Sequence, residues 1–233
     1  MTDIQNILQF DQDLLLALNG SNSLFLDGWM ACLTCGFTWI PLYVSLLYLV
    51  IKNNETMAQI LLILGCSLLC VVMADGVADF IVKPLVGRWR PSNDPFIKYA
   101  VRVVGGMRGS DYGFFSAHAA NTFSIAIFFC LLVRSKILCT SLIVWSLVNC
   151  YTRMYLGLHY PLDILCGLLW GGVVGIVSYI VYHKVYSRIA PANNYISTQY
   201  TSTGYSLSDI DIVELVLVLT FIYTVIAAVL IYN

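Results

Sequence analysis

Residues 57–91 read MAQILLILGCSLLCVVMADGVADFIVKPLVGRWRP, and this stretch decides the kind of fold. From Met57 to Val82, about 26 residues carry only Asp75 and Asp79 as charges, somewhat more than the ~20 a helix needs to cross a bilayer. At Lys83 the character changes, and Arg88 and Arg90-Pro91 follow within eight residues. An apolar run ending abruptly in cations is the pattern of a spanning helix delivering charge to one membrane face.

The rest of the chain repeats the pattern. Of 233 residues, 59% are hydrophobic and 11% charged, under half the roughly 25% usual in soluble domains. Spans are expected at about Gly28–Ile51 (with Pro41 a candidate kink), Met57–Val82, Phe115–Val133, Ile137–Thr152, Pro161–Tyr182 and Val213–Tyr232. Residues 1–23 have helical apolar spacing (Ile4, Ile7, Leu8, Leu14, Leu15, Leu18) but are too polar to span, which predicts an amphipathic interfacial helix. The expected fold is therefore an all-α integral membrane protein with six transmembrane helices. It forms one domain: an interfacial helix over 1–23, a five-span core over 28–182, a polar loop over 184–211, read as exposed and partly disordered, and a sixth span over 213–232. Glu214 is read at the start of that last span, where a carboxylate complements the helix dipole. No signal peptide is expected, because the first 20 residues lack a basic stretch and carry Asp3, Asp11 and Asp13.

Charge and cysteine usage exclude several classes. A net charge of −1 with no basic tail speaks against nucleic acid as a partner. The eight cysteines are scattered through apolar segments and read as small buried hydrophobes, not as disulfides or a zinc site. No cofactor, metal or obligate protein partner is expected; the partners are the bilayer and a lipid substrate.

Counting crossings brings Lys83, Arg90, Ser116, Ala117, His118, Arg153, His159 and Asp163 to one face. Lys83, Arg90 and Arg153 suit phosphate oxygens, arginine because its planar fork matches them in pairs. Ser116 and the N–H groups of Ala117 and His118 open a helix, a natural anion site. Asp163 follows His159 by four residues, so one carboxylate can fix its tautomer and leave the other nitrogen free to attack phosphorus. His118 is then the acid for the leaving oxygen. Among the other charges, Arg88, Lys98, Arg102 and Arg108 read as a solvated loop face, with recruitment of a second anionic group as the alternative. Asp75 and Asp79 either orient Lys83 or neutralise each other, and His183 reads as interfacial. Charge counts alone leave the orientation open, with seven cations on the site face against Lys52, Arg134, Lys136, Lys184 and Arg188 opposite.

These residues carry a resemblance. Lys83-Pro-Leu-Val-Gly-Arg-Trp-Arg90-Pro91, Phe115-Ser116-Ala117-His118 and Thr152-Arg153…His159…Asp163 resemble, in order, the K-x6-R-P, P-S-G-H and S-R-x5-H-x3-D motifs of the type 2 phosphatidic acid phosphatase superfamily. The resemblance covers about 80 residues, with Phe115, Ala117 and Thr152 departing from the motif's proline, glycine and serine. It implies a metal-independent lipid phosphatase with a helical core, a phosphohistidine formed on His159, and a site facing outward from the cytoplasm. The stretch from Val104 to Phe123 looks most like bacterial inner-membrane members acting on undecaprenyl diphosphate or lipid A, with the site then on the periplasmic face. Phosphatidate or phosphatidylglycerol phosphate are alternative substrates. A phosphotransferase, a non-catalytic lipid-binding protein and, remotely, a haloperoxidase are alternative functions.

Overall fold

A computed structural model of the chain describes residues 3–110, 112–189 and 198–232. Their regular structure is helical, joined by turns and irregular connections, with two isolated bridges, Trp89 with Tyr112 and Tyr200 with Ser206. Helix α1 is Asp3–Leu18, α2 Leu24–Thr34, α3 Ile40–Lys52, α4 Met57–Gly76, α5 Lys83–Val86, α6 Ala117–Val133, α7 Lys136–Tyr155, α8 Pro161–Ile189 and α9 Leu207–Tyr232.

Four stretches are long and apolar enough to cross a membrane: Met57–Val86, Lys136–Tyr155, Pro161–Ile189 and Leu207–Leu230. The first expected span is in fact two pieces, Leu24–Thr34 and Gly36–Lys52, bent by 65°, and these make a fifth span if counted together. The bend falls at Cys35 and the 3₁₀ turn Gly36–Trp39, not at Pro41, which sits harmlessly in the first turn of α3 where its missing N–H is not needed. The apolar α6 has 17 residues, roughly 26 Å at helical rise. Length and composition thus support four or five spans where six were expected.

Helix starts follow local chemistry. Thr56 and Gln59 form a reciprocal capping box on α4, while Ser23, Ser116 and Ser135 cap α2, α6 and α7 through their hydroxyls. Between α4 and α5, Val77–Val82 is π-helical. Gly87, at φ +61°, closes α5 in a left-handed cap that turns the chain towards the site.

Packing centres on α6, which lies between α4, α7 and α8. The α6–α8 crossing is very close because Gly167, Gly171 and Gly175 form a stripe on α8. A Cβ at these positions would lie 2.6, 2.5 and 2.7 Å from the carbonyl oxygens of Ser116, Ala120 and Ser124. In lipid, association of this kind depends on close packing, because apolar side chains gain little by leaving apolar tails. On the other flank α9 packs against α2 and α3. There Trp39 meets Trp145 and Phe221 edge-on at 5.7 and 5.3 Å.

Three expectations near the opposite end change. Helix α8 continues through His183 and Lys184 to Ile189, and α9 begins at Leu207, so much of the expected 184–211 loop is helix. Of the remainder, Thr201 and Tyr205 are buried, whereas residues 190–197, where disorder was expected, lie outside the described residues. Glu214 is consequently two turns inside α9, where it accepts a 2.6 Å hydrogen bond from Ser141 of α7. Cys130 and Cys139, expected to be free, form a disulfide closing the α6–α7 hairpin at this end.

Candidate active site

The site assembles where α5, α6, α7 and α8 reach one face. Lys83 begins α5 and holds its ammonium on Asp79, one turn earlier in the π-helical segment. Asp75 instead accepts a 2.6 Å bond from Asn121 of α6, so only Asp79 orients Lys83. Beyond Gly87, Trp89 and Tyr112 pair across the polar connection, which folds back over Arg90. Gly109 is needed for that contact, because a Cβ there would sit 2.6 Å from Arg90 Nε. Arg90 is buried, and its Nη2 donates to Ser110 Oγ at 3.3 Å.

From α8 and the turn before it, His159 meets Arg90: His159 Nε2 lies 3.0 Å from Arg90 Nη1, which also donates to Leu158 O at 3.3 Å. A guanidinium only donates, so Nε2 is the unprotonated nitrogen and Nδ1 carries the proton. Nδ1 faces Asp163 Oδ2 at 3.5 Å, and Oδ2 accepts the Tyr160 N–H at 3.0 Å. Burial first, and then the nearby cations Arg90, Arg153 and Lys83, hold the His159 imidazole well below its ordinary pKa. The neutral, nucleophilic form therefore prevails at neutral pH. Burial likewise lowers the Arg90 pKa, although a guanidinium keeps its charge throughout the physiological range.

Helix α6 presents its start to the same place. Ser116 is fully buried, its N–H donates to the backbone carbonyl of Asp163 at 3.0 Å and its hydroxyl caps Ala119 N–H at 3.3 Å. Ala117, where the motif has glycine, starts the helix without a positive φ, so the alanine meets no backbone strain. His118, in the first turn, lies close enough to His159 and Arg153 to interact electrostatically with both. Arg153, in the last turn of α7, donates to Thr34 Oγ1 at 2.8 Å. The Thr152 hydroxyl bonds the Asn149 carbonyl at 2.7 Å.

A cleft of about 500 Å³ opens onto this cluster, lined by Asp79, Lys83, Pro84, Arg90, Ser110 and Tyr112. Arg90 Nε, Arg153 Nε, His118 Nε2 and His159 Nδ1 are buried atoms without a hydrogen-bond partner among the described residues. Buried polar groups are normally satisfied, and uncommitted nitrogens on Arg90, which lines the cleft, and on the neighbouring Arg153 and His118 are of the kind that suits an oxyanion.

Sequence reasoning missed several contributors. Arg88, read as part of a solvated loop face, is bound by two carboxylates, Asp163 at 2.8 Å and Asp11 at 2.6 Å. Arg102, from the same group, pairs with Asp27 at 2.6 Å, and Arg108 donates to Ser92 O. Thr34 and Ser110, which position Arg153 and Arg90, had no signal in sequence. The Gly167/Gly171/Gly175 spacing did have one: three glycines four residues apart in an apolar segment.

Residues 60–187, more than half of the chain, match the PAP2 superfamily. The chain belongs to that superfamily. A lipid A 4'-phosphatase of Bacteroides thetaiotaomicron is 39% identical over 187 residues, 80% of this chain and 83% of that protein. A lipid A 4'-phosphatase of Porphyromonas gingivalis is 35% identical over 79% of this chain and 78% of its own length. An undecaprenyl-diphosphatase of Sulfolobus acidocaldarius is 27% identical over 75% of this chain and 79% of its own. No solved structure matches. As a PAP2 member related to these enzymes, the chain is a membrane-associated phosphatase, a hydrolase of phosphoric esters.

Proposed function

We propose that this PAP2 phosphatase removes a phosphate monoester from lipid A, with the 4'-phosphate as the leading position and undecaprenyl diphosphate as the second candidate. The observation that carries the mechanism is His159, with Nε2 on Arg90, which together with Lys83 lines the cleft, and Nδ1 facing Asp163. The substrate phosphate takes the donors of Lys83, Arg90, Arg153 and the first turn of α6, drawing Arg90 off Nε2. His159 Nε2 then attacks phosphorus as the bond to the sugar oxygen breaks, and His118, which takes up a proton as the anionic phosphate arrives beside it, gives that oxygen the proton. Water next attacks the phosphohistidine and passes a proton to His118 while the P–N bond breaks, releasing phosphate and neutral His159. The chemistry calls for no metal. Among the described residues no group of His, Cys, Asp and Glu is arranged to hold one.

One domain carries this reaction, with six crossings if α6 and the bent α2–α3 pair each count as one and α1 lies in the interface. The exposed Ile4, Ile7, Leu8 and Phe10 on α1 support that placement. The membrane is the bacterial inner membrane and the site faces the periplasm. At the site end, Lys83, Arg88 and Arg102 have carboxylate partners, and Arg90 and Arg153 line the site. The cations of the opposite end have no carboxylate partner among the described residues, which supports a cytoplasmic position. The Cys130–Cys139 bond at that end argues the other way, since disulfides persist mainly in oxidising compartments. Impermeant thiol labelling of single cysteines placed at Lys52 and at Lys98 decides the orientation.

The test of function is phosphate release by purified protein in detergent from lipid A, undecaprenyl diphosphate, phosphatidate and phosphatidylglycerol phosphate, wild type beside His159→Ala. Release of the 4'-phosphate that vanishes in the variant is expected. Turnover confined to another lipid overturns the substrate. Turnover retained by His159→Ala overturns the nucleophile, and loss of all turnover on chelation overturns the metal-free route.

A further inference from the structure

We infer that Asp11, on α1 and outside the family-matched segment, is a positioning residue for the reaction and acts on His159 through Arg88 and Asp163. Asp11 is 2% exposed and Asp163 fully buried. Asp11 Oδ2 accepts from Arg88 Nη2 at 2.6 Å, and Arg88 Nη1 donates to Asp163 Oδ1 at 2.8 Å. Asp163 Oδ2 then faces His159 Nδ1 at 3.5 Å. A second bond ties the same carboxylate to the first turn of α8, with Leu162 N–H donating to Asp11 Oδ1 at 2.8 Å. Arg88 Cζ also lies over the Tyr160 ring, 4.1 Å from its centroid, and the Tyr160 hydroxyl donates to Asp94 at 2.7 Å.

The charges explain why two carboxylates are used. Arg88 alone would neutralise Asp163 and leave His159 beside an ion pair of no net charge. With Asp11 the cluster carries a net single negative charge behind Nδ1, while Arg90 sits on Nε2 and Arg153 and Lys83 act on the ring from nearby. Attack by Nε2 makes Nδ1–H part of an imidazolium-like phosphohistidine, and a negative cluster stabilises that developing charge more than it stabilises the resting imidazole. The anchoring is deliberate in its geometry. Immediately after α1, Asn19 bonds the carbonyls of Arg102 and Tyr155 at 3.1 and 2.8 Å, and Gly20 N–H bonds Tyr155 O at 2.9 Å. The N-terminal helix is therefore tied to the residues behind the active site as well as being a surface element.

The inference rests on His159 as nucleophile, and His159→Ala is run alongside to separate the two. The deciding variants are Asp11→Asn, Arg88→Gln and the pair, assayed on the lipid that wild type turns over, with orthovanadate inhibition as an index of how the site holds the transferring phosphoryl group. Asp11→Asn is expected to lower kcat by about 10- to 100-fold, the range for partners that orient a reacting group at one remove. KM should stay within about threefold, since the phosphate-binding residues are untouched, whereas the vanadate inhibition constant should rise with the loss of kcat, because vanadate takes up the geometry of the transferring phosphoryl group. Asp11→Glu should recover part of kcat, and adding Asp11→Asn to Arg88→Gln should cost little more, because the two act along one path. Asp11→Asn with full kcat while His159→Ala is inactive overturns the inference alone. Additive losses in the pair, or a loss of activity that merely follows a loss of folded protein in melting curves, overturn it as well. An active His159→Ala overturns the nucleophile on which it rests.

Discussion

The two polar ends of the bundle handle charge in opposite ways. At the site end, ionic groups are buried and bound: Arg88 between Asp11 and Asp163, Arg102 on Asp27, Lys83 on Asp79, and His159 against Arg90. At the other end the network is made largely of neutral groups. Asn53 links Leu49 O, Asp209 and Ser206 N–H, Asn54 reaches Val50 O and the Tyr205 hydroxyl, and Gln59 reaches Tyr186. Buried charge is expensive unless it is paired, so a chain keeps it only where it serves a purpose beyond holding helices together. Neutral hydrogen bonds are sufficient to close an end that has only to stay closed.

Removing the proposed nucleophile probes the charged end most severely. His159→Ala should lower kcat/KM by a factor of roughly 10⁴–10⁶, the range for loss of a member of a nucleophilic catalytic unit, with melting temperature little changed. A residual activity above a tenth of wild type would mean that the charged end works by another nucleophile.

Between the two ends lies the glycine crossing, where space is the constraint instead of charge. Gly171→Leu drives a side chain into Ala120 O, 2.5 Å from the ideal Cβ, and should destabilise the fold by about 1–3 kcal/mol and abolish activity with it. Gly65→Ala, where nothing lies within 4 Å, should leave stability unchanged or raise it slightly. Thermal unfolding in detergent compares the pair; equal melting points would remove the close crossing from the explanation of the fold.

Acid should weaken the charged end first. His159 stays neutral in the folded chain well below its ordinary pKa, whereas the unfolded chain takes up that proton near pH 6.5. The stability it contributes is complete above about pH 6.5 and is lost as pH falls below it, at up to roughly 1.4 kcal/mol per pH unit. Wild type should therefore lose melting temperature between pH 6.5 and 5 more steeply than His159→Gln. Parallel slopes would show that the imidazole is not kept neutral by its surroundings.

The neutral end should yield the smallest effect. Asn53→Ala removes three hydrogen bonds and should cost about 1 kcal/mol or slightly more while kcat stays at the wild-type value. A fall in kcat there would mean that the ends are coupled and that the contrast between them is incomplete.

The all-helical, membrane-spanning character and the order of the motifs were legible, though not the count of six spans, because each depends on short-range pattern: twenty-odd apolar residues, a helix cap, four residues from His159 to Asp163. Ser116, Ala117 and His118 could be placed at a helix start for the same reason. The bend at Cys35 was not legible, since Pro41 looks like the breaker while the break falls before it, between two helices that each pack on α9. Nor was the role of Arg88. A charged residue in a polar connection looks the same in sequence whether it meets water or, as here, carboxylates from 77 residues upstream and 75 downstream.

The sequence by itself determined that the chain is helical, that it lives in a membrane, and that the side chains of its three motifs gather at one face. Those properties follow from hydropathy, from local spacing and from the few chemical types able to bind and attack phosphate. Tertiary structure alone decided which cations are bound by carboxylates and which face the cleft, how closely α6 and α8 approach, and that α1 joins the site through Asp11. These depend on distances between residues far apart in the chain, and only the folded packing sets such distances.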